Sequence, residues 1–334
     1  MDNAGTFAVL GAGSWGTALA ILLARNGHAT CLWSRDVSAA RLIQAERCNA
    51  RYLPATPLPD RLQVTADLNQ ALRQAGTVLI AVPSGGFRQM LSAIKPVLAP
   101  GVRLCWATKG LEHSSQKLLQ QVFEEELGDA FSATVISGPT FAKEVASGLP
   151  TAVTVASTYE PDAQFLAEAF HNETFRSYTS TDVVGVQVGG AVKNVLAIAA
   201  GVADGLGFGA NARAALITRG LMEMSRLGIA LGGRMETFMG LAGLGDLVLT
   251  CTDNQSRNRR FGLCVGEGQS QEAALQSIRQ VVEGIKTAQE VHMLASRLQV
   301  EMPICSQVYE VLFQGKSAKQ AVRSLLLREI KSEI

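Results

Sequence analysis

The feature that most constrains this chain is a glycine-rich turn near its start, Gly11-Ala12-Gly13-Ser14-Trp15-Gly16. The apolar run Thr6 to Leu10 before it predicts a buried strand, and Trp15 to Asn26 predicts a helix that ends at Gly27. In such a unit the glycines permit the tight turn, the approach of a pyrophosphate and close helix packing. Free N–H groups at the helix start attract phosphate. The turn therefore predicts a dinucleotide-binding domain. The predicted contacts in it are Gly11, Gly13, Ser14, Trp15 and Gly16.

The 334 residues suggest two domains of different secondary structure. Up to residue 182, short β-branched runs alternate with longer helical segments, which is typical of a parallel sheet covered by helices. After that residue strand-like runs disappear, and segments such as Val183–Asp204 and Arg213–Leu227 have helical periodicity. We therefore expect an α/β domain with a doubly wound parallel sheet of the Rossmann type over 1–182, and an all-α domain over 183–334. The predicted strands are Thr6–Leu10, Thr30–Trp33, Thr77–Val82, Val102–Ala107, Thr134–Ile136, Ala152–Ala156 and Phe175–Ser177.

Composition argues against several classes of protein. The chain has 30 Lys and Arg against 29 Asp and Glu, so we expect no general attraction to nucleic acid. Six cysteines without a Cys-x-x-Cys pair predict reduced thiols in a cytoplasmic protein, and four scattered histidines predict no metal site. The N-terminus lacks the basic region of a signal peptide. The apolar stretch Val188–Ala203 is shorter than the roughly 20 residues of a membrane span, so we expect no membrane insertion.

The end of the second predicted strand bears on which cofactor is used. An acid at this point binds the ribose 2′-hydroxyl of NAD, whereas an arginine accommodates the 2′-phosphate of NADP. Here Arg35 is followed by Asp36, which leaves NADPH and NADH both open, with NADP favoured. A solvated loop arginine is the alternative for Arg35.

The loops that follow the other predicted strands are the expected ligand-binding segments, because ligands of open α/β sheets bind outside the carboxyl ends of the strands. Lys109 directly follows a buried strand and is either a ligand contact or a solvated loop lysine. Gly138-Pro139-Thr140 follows another strand. It is either a plain turn or a source of N–H and hydroxyl groups for cofactor and substrate.

The first long helix of the second domain is rich in glycine and carries Lys193. Each glycine costs a soluble helix about 1 kcal/mol relative to alanine, so we expect close approach of another helix or of the cofactor. Desolvation of a buried lysine favours the neutral amine, which can accept a proton. Snorkelling of Lys193 to solvent is the alternative.

Polar groups further along the helical domain form two other candidate sites. Asp246 lies in the glycine-rich break Gly243-Leu244-Gly245-Asp246 and is either a functional carboxylate or a helix cap. Ser256-Arg257-Asn258 offers hydroxyl, guanidinium and amide donors in succession, which suit a phosphate. The alternative there is a solvated basic turn that includes Arg259 and Arg260. Glu283 is by default a surface acid.

Six segments resemble, in order and spacing, the bacterial NAD(P)-dependent glycerol-3-phosphate dehydrogenases. The resemblance runs from about residue 6 to residue 325. It implies reversible reduction of dihydroxyacetone phosphate, a small phosphorylated substrate, to sn-glycerol 3-phosphate for phospholipid synthesis. It also implies a homodimer. Composition and periodicity show none of this chemistry. The segments are Gly11–Gly16, Ala107–Gly110, Ser137–Ala142, Gly189–Asn194, Gly243–Asp246 and Ser256–Asn258.

The resemblance also implies roles for individual residues. Lys193 would accept a proton during oxidation and protonate the C2 alkoxide during reduction, and Asp246 would orient it. Lys109 would contact both cofactor and substrate. The implied substrate contacts are Lys109, Gly138, Thr140, Lys193, Asp246, Ser256, Arg257 and Asn258. The implied cofactor contacts are Ser14, Trp15, Arg35, Lys109, Ala142, Arg257, Val281 and Glu283.

Two other classes compete with this interpretation. A β-hydroxyacid dehydrogenase typically has its catalytic lysine four residues before an asparagine, whereas here Asn194 follows Lys193 directly and residue 197 is alanine. A nonenzymatic dinucleotide sensor or repressor would need a DNA-reading module or a basic surface. The charge balance and the sequence pattern indicate neither.

Overall fold

A computed structural model describes residues 5–329 of the chain, which divide into two compact units. The first unit comprises the residues up to 112 together with 117–187, and the second comprises 113–116 and the residues from 188 onward. The sequence predicts a boundary between two domains after residue 182. That boundary stays a prediction.

The first unit contains one eight-stranded sheet. Its strands are β1 (Thr6–Leu10), β2 (Ala29–Trp33), β3 (Leu62–Thr65), β4 (Thr77–Ile80), β5 (Arg103–Trp106), β6 (Thr134–Ser137), β7 (Thr151–Ser157) and β8 (Phe175–Ser180). Their spatial order is β3-β2-β1-β4-β5-β6-β7-β8. The predicted doubly wound α/β fold is confirmed, but the sheet is not wholly parallel, because β6 and β7 pair antiparallel.

Sequence reasoning found seven of these strands and missed β3. That strand has four residues, of which only Leu62 and Val64 are buried, so it lacks the continuous apolar run that marks β1 or β4. Seven helices accompany the sheet. They are α1 (Ser14–Arg25), α2 (Val37–Glu46), α3 (Leu68–Leu72), α4 (Phe87–Ile94), α5 (Leu119–Leu127), α6 (Ala142–Ala146) and α7 (Glu160–Phe170).

After β8 the described chain is helical, as expected, and contains no further strand up to residue 329. A π-helical turn, Leu241–Gly245, directly precedes α11. The helices are α8 (Val183–Gly205), α9 (Ala210–Ala230), α10 (Met235–Met239), α11 (Asp246–Thr252), α12 (Arg257–Gly266), α13 (Gln271–Ile278), α14 (Glu283–Leu298), α15 (Pro303–Phe313) and α16 (Ala318–Leu326).

Helix α8 matches the predicted helical segment Val183–Asp204 to within one residue, but it is longer than the apolar stretch Val188–Ala203 on which the membrane argument depended. It has 23 residues and a mean hydropathy of 1.6 over its most apolar window, so by length and composition alone it is able to cross a membrane. The expectation that its apolar stretch is too short was therefore wrong. However, 94% of that window is buried inside the structure, which is typical of a core helix.

The glycines of α8 allow direct contact between helix backbones, as expected. A Cβ added to Gly201 or Gly205 would lie 2.0 or 2.3 Å from carbonyl oxygens of α12. Conversely, a Cβ added to Gly262 or Gly266 of α12 would lie 2.1 or 2.4 Å from carbonyl oxygens of α8. Each helix thus presents two glycines, one turn apart, to the backbone of the other. We call these four residues the glycine contact.

Candidate functional site

The glycine-rich turn has the geometry that dinucleotide binding requires. Gly11 has φ +123°, and a Cβ there would lie 2.7 Å from the carbonyl oxygen of Ala81. A Cβ on Gly16 would lie 2.0 Å from the Gly11 oxygen, so the start of α1 packs directly on the turn. A Cβ on Gly13 would meet nothing within 4 Å. The turn therefore leaves open space beside the N-terminus of α1, where a phosphate fits.

Trp15 adds a second sign that this turn accepts a ligand. Its ring packs against the core of the first unit, and its indole Nε1 is buried without a hydrogen-bond partner among the described residues. A buried donor left unpaired costs about 1–3 kcal/mol. An acceptor atom on a bound molecule would remove that cost.

At the end of β2 the arginine and the acid have different surroundings. The carboxylate of Asp36 caps α2 by accepting a hydrogen bond from the backbone N–H of Ala39 at 3.0 Å. Arg35 is exposed, and its side chain makes no hydrogen bond or ion pair with the described residues. Asp36 therefore has a structural task, and Arg35 is available to a ligand.

Lys109, Gly138 and Thr140 come together beyond the carboxyl ends of β5 and β6. The half-buried Lys109 donates from Nζ to the carbonyl oxygen of Gly138 at 3.1 Å, and Thr140 donates to the same oxygen at 3.2 Å. Lys109 is thus not a freely solvated lysine. Ala142 begins the short helix α6 shortly after Thr140.

In the second unit, Lys193 is buried and paired. Its side chain is 9% exposed, and Nζ donates to Asp246 Oδ1 at 2.7 Å and to Thr250 Oγ1 at 2.9 Å. The snorkelling alternative is therefore wrong. Asp246 is fully buried at the start of α11, where its carboxylate holds the ammonium group. An ammonium group has three N–H donors, so these two bonds leave one for a further acceptor.

Sequence reasoning missed Thr250. It follows Asp246 by four residues in α11, so both side chains lie on the same face of the helix. Its hydroxyl also donates to Asp246 Oδ1 at 3.3 Å, which closes a triangle of polar groups around Lys193 Nζ. The i, i+4 spacing was the signal that would have found it.

Ser256, Arg257 and Asn258 differ from one another in the structure. Ser256 caps α12, with Oγ accepting from the N–H of Arg259 at 3.2 Å, so its hydroxyl proton remains available. Arg257 is half-buried, and its side chain makes no hydrogen bond or ion pair within the described range. Asn258 is buried and bonded at both ends of its amide, to Asn194 Oδ1 and to the N–H of Gly284.

The alternative of a solvated basic turn is wrong for Arg259. This residue is 8% exposed, forms an ion pair with Asp204, and donates from Nε to the carbonyl oxygen of Cys251 at 3.0 Å. Arg259 therefore joins α8, α11 and α12 as a structural residue. Arg257, two positions away, forms no such ion pair with the described residues and stays available to a ligand.

The segment before α14 carries the last predicted cofactor contacts. Val281 is 59% exposed. Glu283 is half-buried as the first residue of α14, a position where the helix dipole favours an acid. Glu283 therefore differs from the surface acid that is its default interpretation.

All six cysteines are free thiols, and three of them, Cys105, Cys251 and Cys305, are buried. Burial raises the pKa of the Cys31 thiol to about 11 and that of Cys251 to about 12. These two thiols are therefore protonated and unreactive at neutral pH. Between residues 5 and 329, no group of three or more His, Cys, Asp or Glu side chains is arranged to hold a metal ion.

Comparison with known proteins gives one consistent result. Residues 6–163 match the family described as NAD-dependent glycerol-3-phosphate dehydrogenase N-terminus, and residues 182–323 match the corresponding C-terminus. The chain is 58% identical over 326 residues to glycerol-3-phosphate dehydrogenase (NAD(P)+) of Aeromonas salmonicida, covering 97% of this chain and 98% of the relative. It is 60% identical to the protein of the same name from Thioalkalivibrio sulfidiphilus, with 98% of each covered.

A solved structure agrees. The crystal structure of glycerol-3-phosphate dehydrogenase from Coxiella burnetii superposes with a TM-score of 0.94 at 49% identity, covering 97% of this chain and 99% of that one. Relatives and structure thus span nearly the whole chain, including the glycine-rich turn and the buried lysine. The chain therefore belongs to the NAD-dependent glycerol-3-phosphate dehydrogenase family and is an NAD(P)-dependent oxidoreductase.

Proposed function

We propose that this chain catalyses the reversible reduction of dihydroxyacetone phosphate to sn-glycerol 3-phosphate, and so supplies the glycerol backbone of phospholipids. The observation that carries the proposal is the buried Lys193 ammonium, held by Asp246 and Thr250 with one N–H donor to spare. A carbonyl reduction needs a positioned proton donor for the developing alkoxide. Family membership narrows the carbonyl substrate to this phosphorylated ketone.

Lys193 is the proposed general acid and base. The reduced nicotinamide supplies the hydride to C2 when it is bound. Lys193 Nζ donates its free proton to the C2 oxygen as negative charge develops there, while Asp246 and Thr250 hold the other two N–H groups. In the oxidative direction the neutral amine accepts the C2 hydroxyl proton. Asp246 accepts a hydrogen bond from the amine throughout and keeps it oriented.

The phosphate end of the substrate is assigned to Ser256, Arg257 and Asn258. A guanidinium without a protein partner suits a dianion, and the Ser256 hydroxyl keeps its proton for donation. Lys109 is the proposed contact to both cofactor and substrate, and its Nζ donates to the Gly138 carbonyl oxygen. Gly138 and Thr140 border the substrate beside it. Asn258 retains one amide N–H for the substrate, because its other polar groups are bonded to protein.

The cofactor is assigned to the glycine-rich turn, with Gly11, Gly13, Ser14, Trp15 and Gly16 around the pyrophosphate. NADPH is the favoured cofactor over NADH. Arg35 supports this preference because it is unpaired, whereas the carboxylate of Asp36 is used to cap α2. The remaining proposed cofactor contacts are Lys109, Ala142, Arg257, Val281 and Glu283.

The reaction is tested in both directions. Oxidation of NADPH and NADH is followed with dihydroxyacetone phosphate and with unphosphorylated dihydroxyacetone. Reduction of NADP+ and NAD+ is followed with glycerol 3-phosphate and with a β-hydroxyacid. We expect turnover only with the phosphorylated pair. Turnover of the hydroxyacid without turnover of the phosphorylated ketone would contradict the proposal.

Arg35→Ala is expected to raise the KM for NADPH at least tenfold, since a charge-assisted hydrogen bond to the 2′-phosphate contributes roughly 1.5–3 kcal/mol. The KM for NADH should change little, because NADH lacks that phosphate. Steady-state kinetics with both cofactors measure the ratio. Arg41→Ala is the matched control, because Arg41 is an exposed arginine on α2. Equal loss with both cofactors would exclude a 2′-phosphate contact.

We also propose that residues 1–182 and 183–334 are the cofactor-binding and substrate-binding domains. The enzyme is assigned to the cytoplasm as a homodimer without membrane insertion. Free thiols and the burial of α8 support the compartment and the absence of insertion. Exposed apolar side chains of the helical unit, such as Ile229 and Leu326, support self-association. Sedimentation equilibrium of the full chain measures the oligomeric state.

A further inference from the structure

Two asparagines form a buried amide bridge between three helices of the second unit. Asn194 on α8 is 4% exposed and Asn258 on α12 is 8% exposed. Asn258 Nδ2 donates to Asn194 Oδ1 at 2.9 Å. Asn258 Oδ1 accepts from the backbone N–H of Gly284, in the first turn of α14, also at 2.9 Å. We call this chain of hydrogen bonds the amide bridge.

The start of α14 is held against α8 by close packing as well. A Cβ added to Gly284 would lie 2.7 Å from the carbonyl oxygen of Asn194, 2.8 Å from Asn258 Oδ1 and 2.9 Å from Ile198 Cδ1. The backbone of α14 therefore reaches its hydrogen-bond partner only because residue 284 has no side chain. A hydrogen bond and close packing thus both hold the backbone of Gly284 in the same position.

Each member of the amide bridge is the chain neighbour of a residue assigned to the active site. Asn194 follows Lys193, Asn258 follows Arg257, and Gly284 follows Glu283. Successive residues of a helix point in different directions, so the two amides face the helix contacts and the side chains next to them point away from the bridge. The bridge thus joins the middle of α8, beside the proposed acid–base residue, to the start of α12, beside the proposed phosphate contact, and to the start of α14.

We propose that Asn194 is a positioning residue that acts through Asn258 on the first turn of α14, and so sets the place of Val281 and Glu283 for the cofactor. The inference rests on the proposed function, since that function assigns these two residues to the cofactor. It deepens the role of Asn258, which holds the cofactor segment in addition to facing the substrate with one N–H.

The test measures direct binding of NADPH in the absence of substrate, by quenching of protein fluorescence. Asn194→Ala removes the acceptor of Asn258 Nδ2 and releases the amide from Gly284. We expect the Kd for NADPH to rise about tenfold, the effect of losing one buried hydrogen bond. Asn258→Leu removes both bonds of the amide bridge and should weaken binding at least as much.

Asn258→Asp is the conservative variant. Its new carboxylate still accepts from the Gly284 N–H. The Asn194 amide donates to that carboxylate only by turning over, which gives up its own bond from Nδ2 to the Gly190 carbonyl oxygen at 3.4 Å. The Kd for NADPH should therefore stay within about twofold of wild type, because the acceptor for Gly284 is kept. A rise in the Kd as large as that of Asn258→Leu would show that the acceptor for the Gly284 N–H does not control NADPH binding.

Gln271→Ala is the matched control. Its side-chain amide also joins two helices of the second unit, by donating to the Leu312 carbonyl oxygen of α15 at 2.9 Å, but it adjoins no assigned site residue. Its Kd for NADPH should equal that of wild type even if its melting temperature falls. Wild-type turnover of dihydroxyacetone phosphate tests the proposed function separately. Normal NADPH binding by Asn194→Ala, in an enzyme whose wild type turns over that substrate, would overturn the positioning role alone.

Discussion

Lys193→Ala is expected to lower kcat for dihydroxyacetone phosphate reduction by about a thousandfold, within the range of a lost general acid. The residue is the only proposed proton donor at C2, and its Nζ is oriented by Asp246 at 2.7 Å. The Kd for NADPH should stay near that of wild type, because Lys193 is not assigned to the cofactor. Single-turnover kinetics and direct NADPH binding measure the two quantities.

Loss of stability has to be separated from loss of the proton donor. Lys193→Ala leaves the Asp246 carboxylate buried without its cation, which costs about 3–5 kcal/mol of unfolding free energy. Lys193→Met combined with Asp246→Asn removes both charges, so this variant should recover much of the melting temperature without recovering kcat. Lys319→Ala, on exposed Lys319 of α16, is the control for an ordinary lysine. A Lys193→Ala enzyme that keeps near-normal kcat would remove Lys193 from the chemistry.

The second large effect is expected from Arg257→Ala, which should raise the KM for dihydroxyacetone phosphate by about a hundredfold. The guanidinium has no partner among the described residues, so its removal leaves no buried carboxylate behind and the fold should be little affected. Arg257→Lys keeps the charge but loses the planar pair of donors. Its KM for dihydroxyacetone phosphate should therefore lie between that of wild type and that of Arg257→Ala. Steady-state kinetics and thermal melting measure both effects.

Arg259→Ala is the comparison variant for Arg257→Ala. Arg259 lies two residues after Arg257, but its side chain is bonded to other described residues whereas that of Arg257 is not. It is buried and ion-paired with Asp204, so Arg259→Ala should lower the melting temperature sharply. An unchanged KM in Arg257→Ala would place the phosphate elsewhere. The same KM change in both variants, each corrected for its folded fraction, would show that the arginines act through the fold.

Much of the fold follows from local patterns in the sequence. The buried strands β1 and β4 and the helix α8 have apolar runs long enough to identify. The antiparallel pairing of β6 with β7 has no such local signal. Residues 138–150 connect these strands, and a connection of a dozen or more residues is long enough for either direction.

For the candidate site, the sequence predicts which side chains can carry chemistry, but it does not predict their hydrogen-bond partners. Chemistry-bearing side chains such as Lys193 and Arg257 stand out by residue type and context, and the family resemblance adds their roles. Residue type does not say which polar groups are already satisfied. Asp36 and Asn258 look equally available in the sequence, yet one caps α2 and the other is bonded at both ends of its amide. Such partners come from other parts of the chain, so only the folded structure identifies them.

The glycine contact limits the ways in which substitutions can change the size of the substrate that this enzyme accepts. Lys193 lies on α8 and Arg257 at the start of α12, and the spacing of these helices is set by backbone touching backbone at Gly201, Gly205 and Gly262. No exchange of side chains can bring the helices closer, and any larger residue forces them apart. The spacing between the helix of the proposed proton donor and the helix of the proposed phosphate contact is therefore set by the main chain. A change in the size of the accepted ketone is accordingly expected from side chains around the substrate and not from a change in the spacing of these two helices.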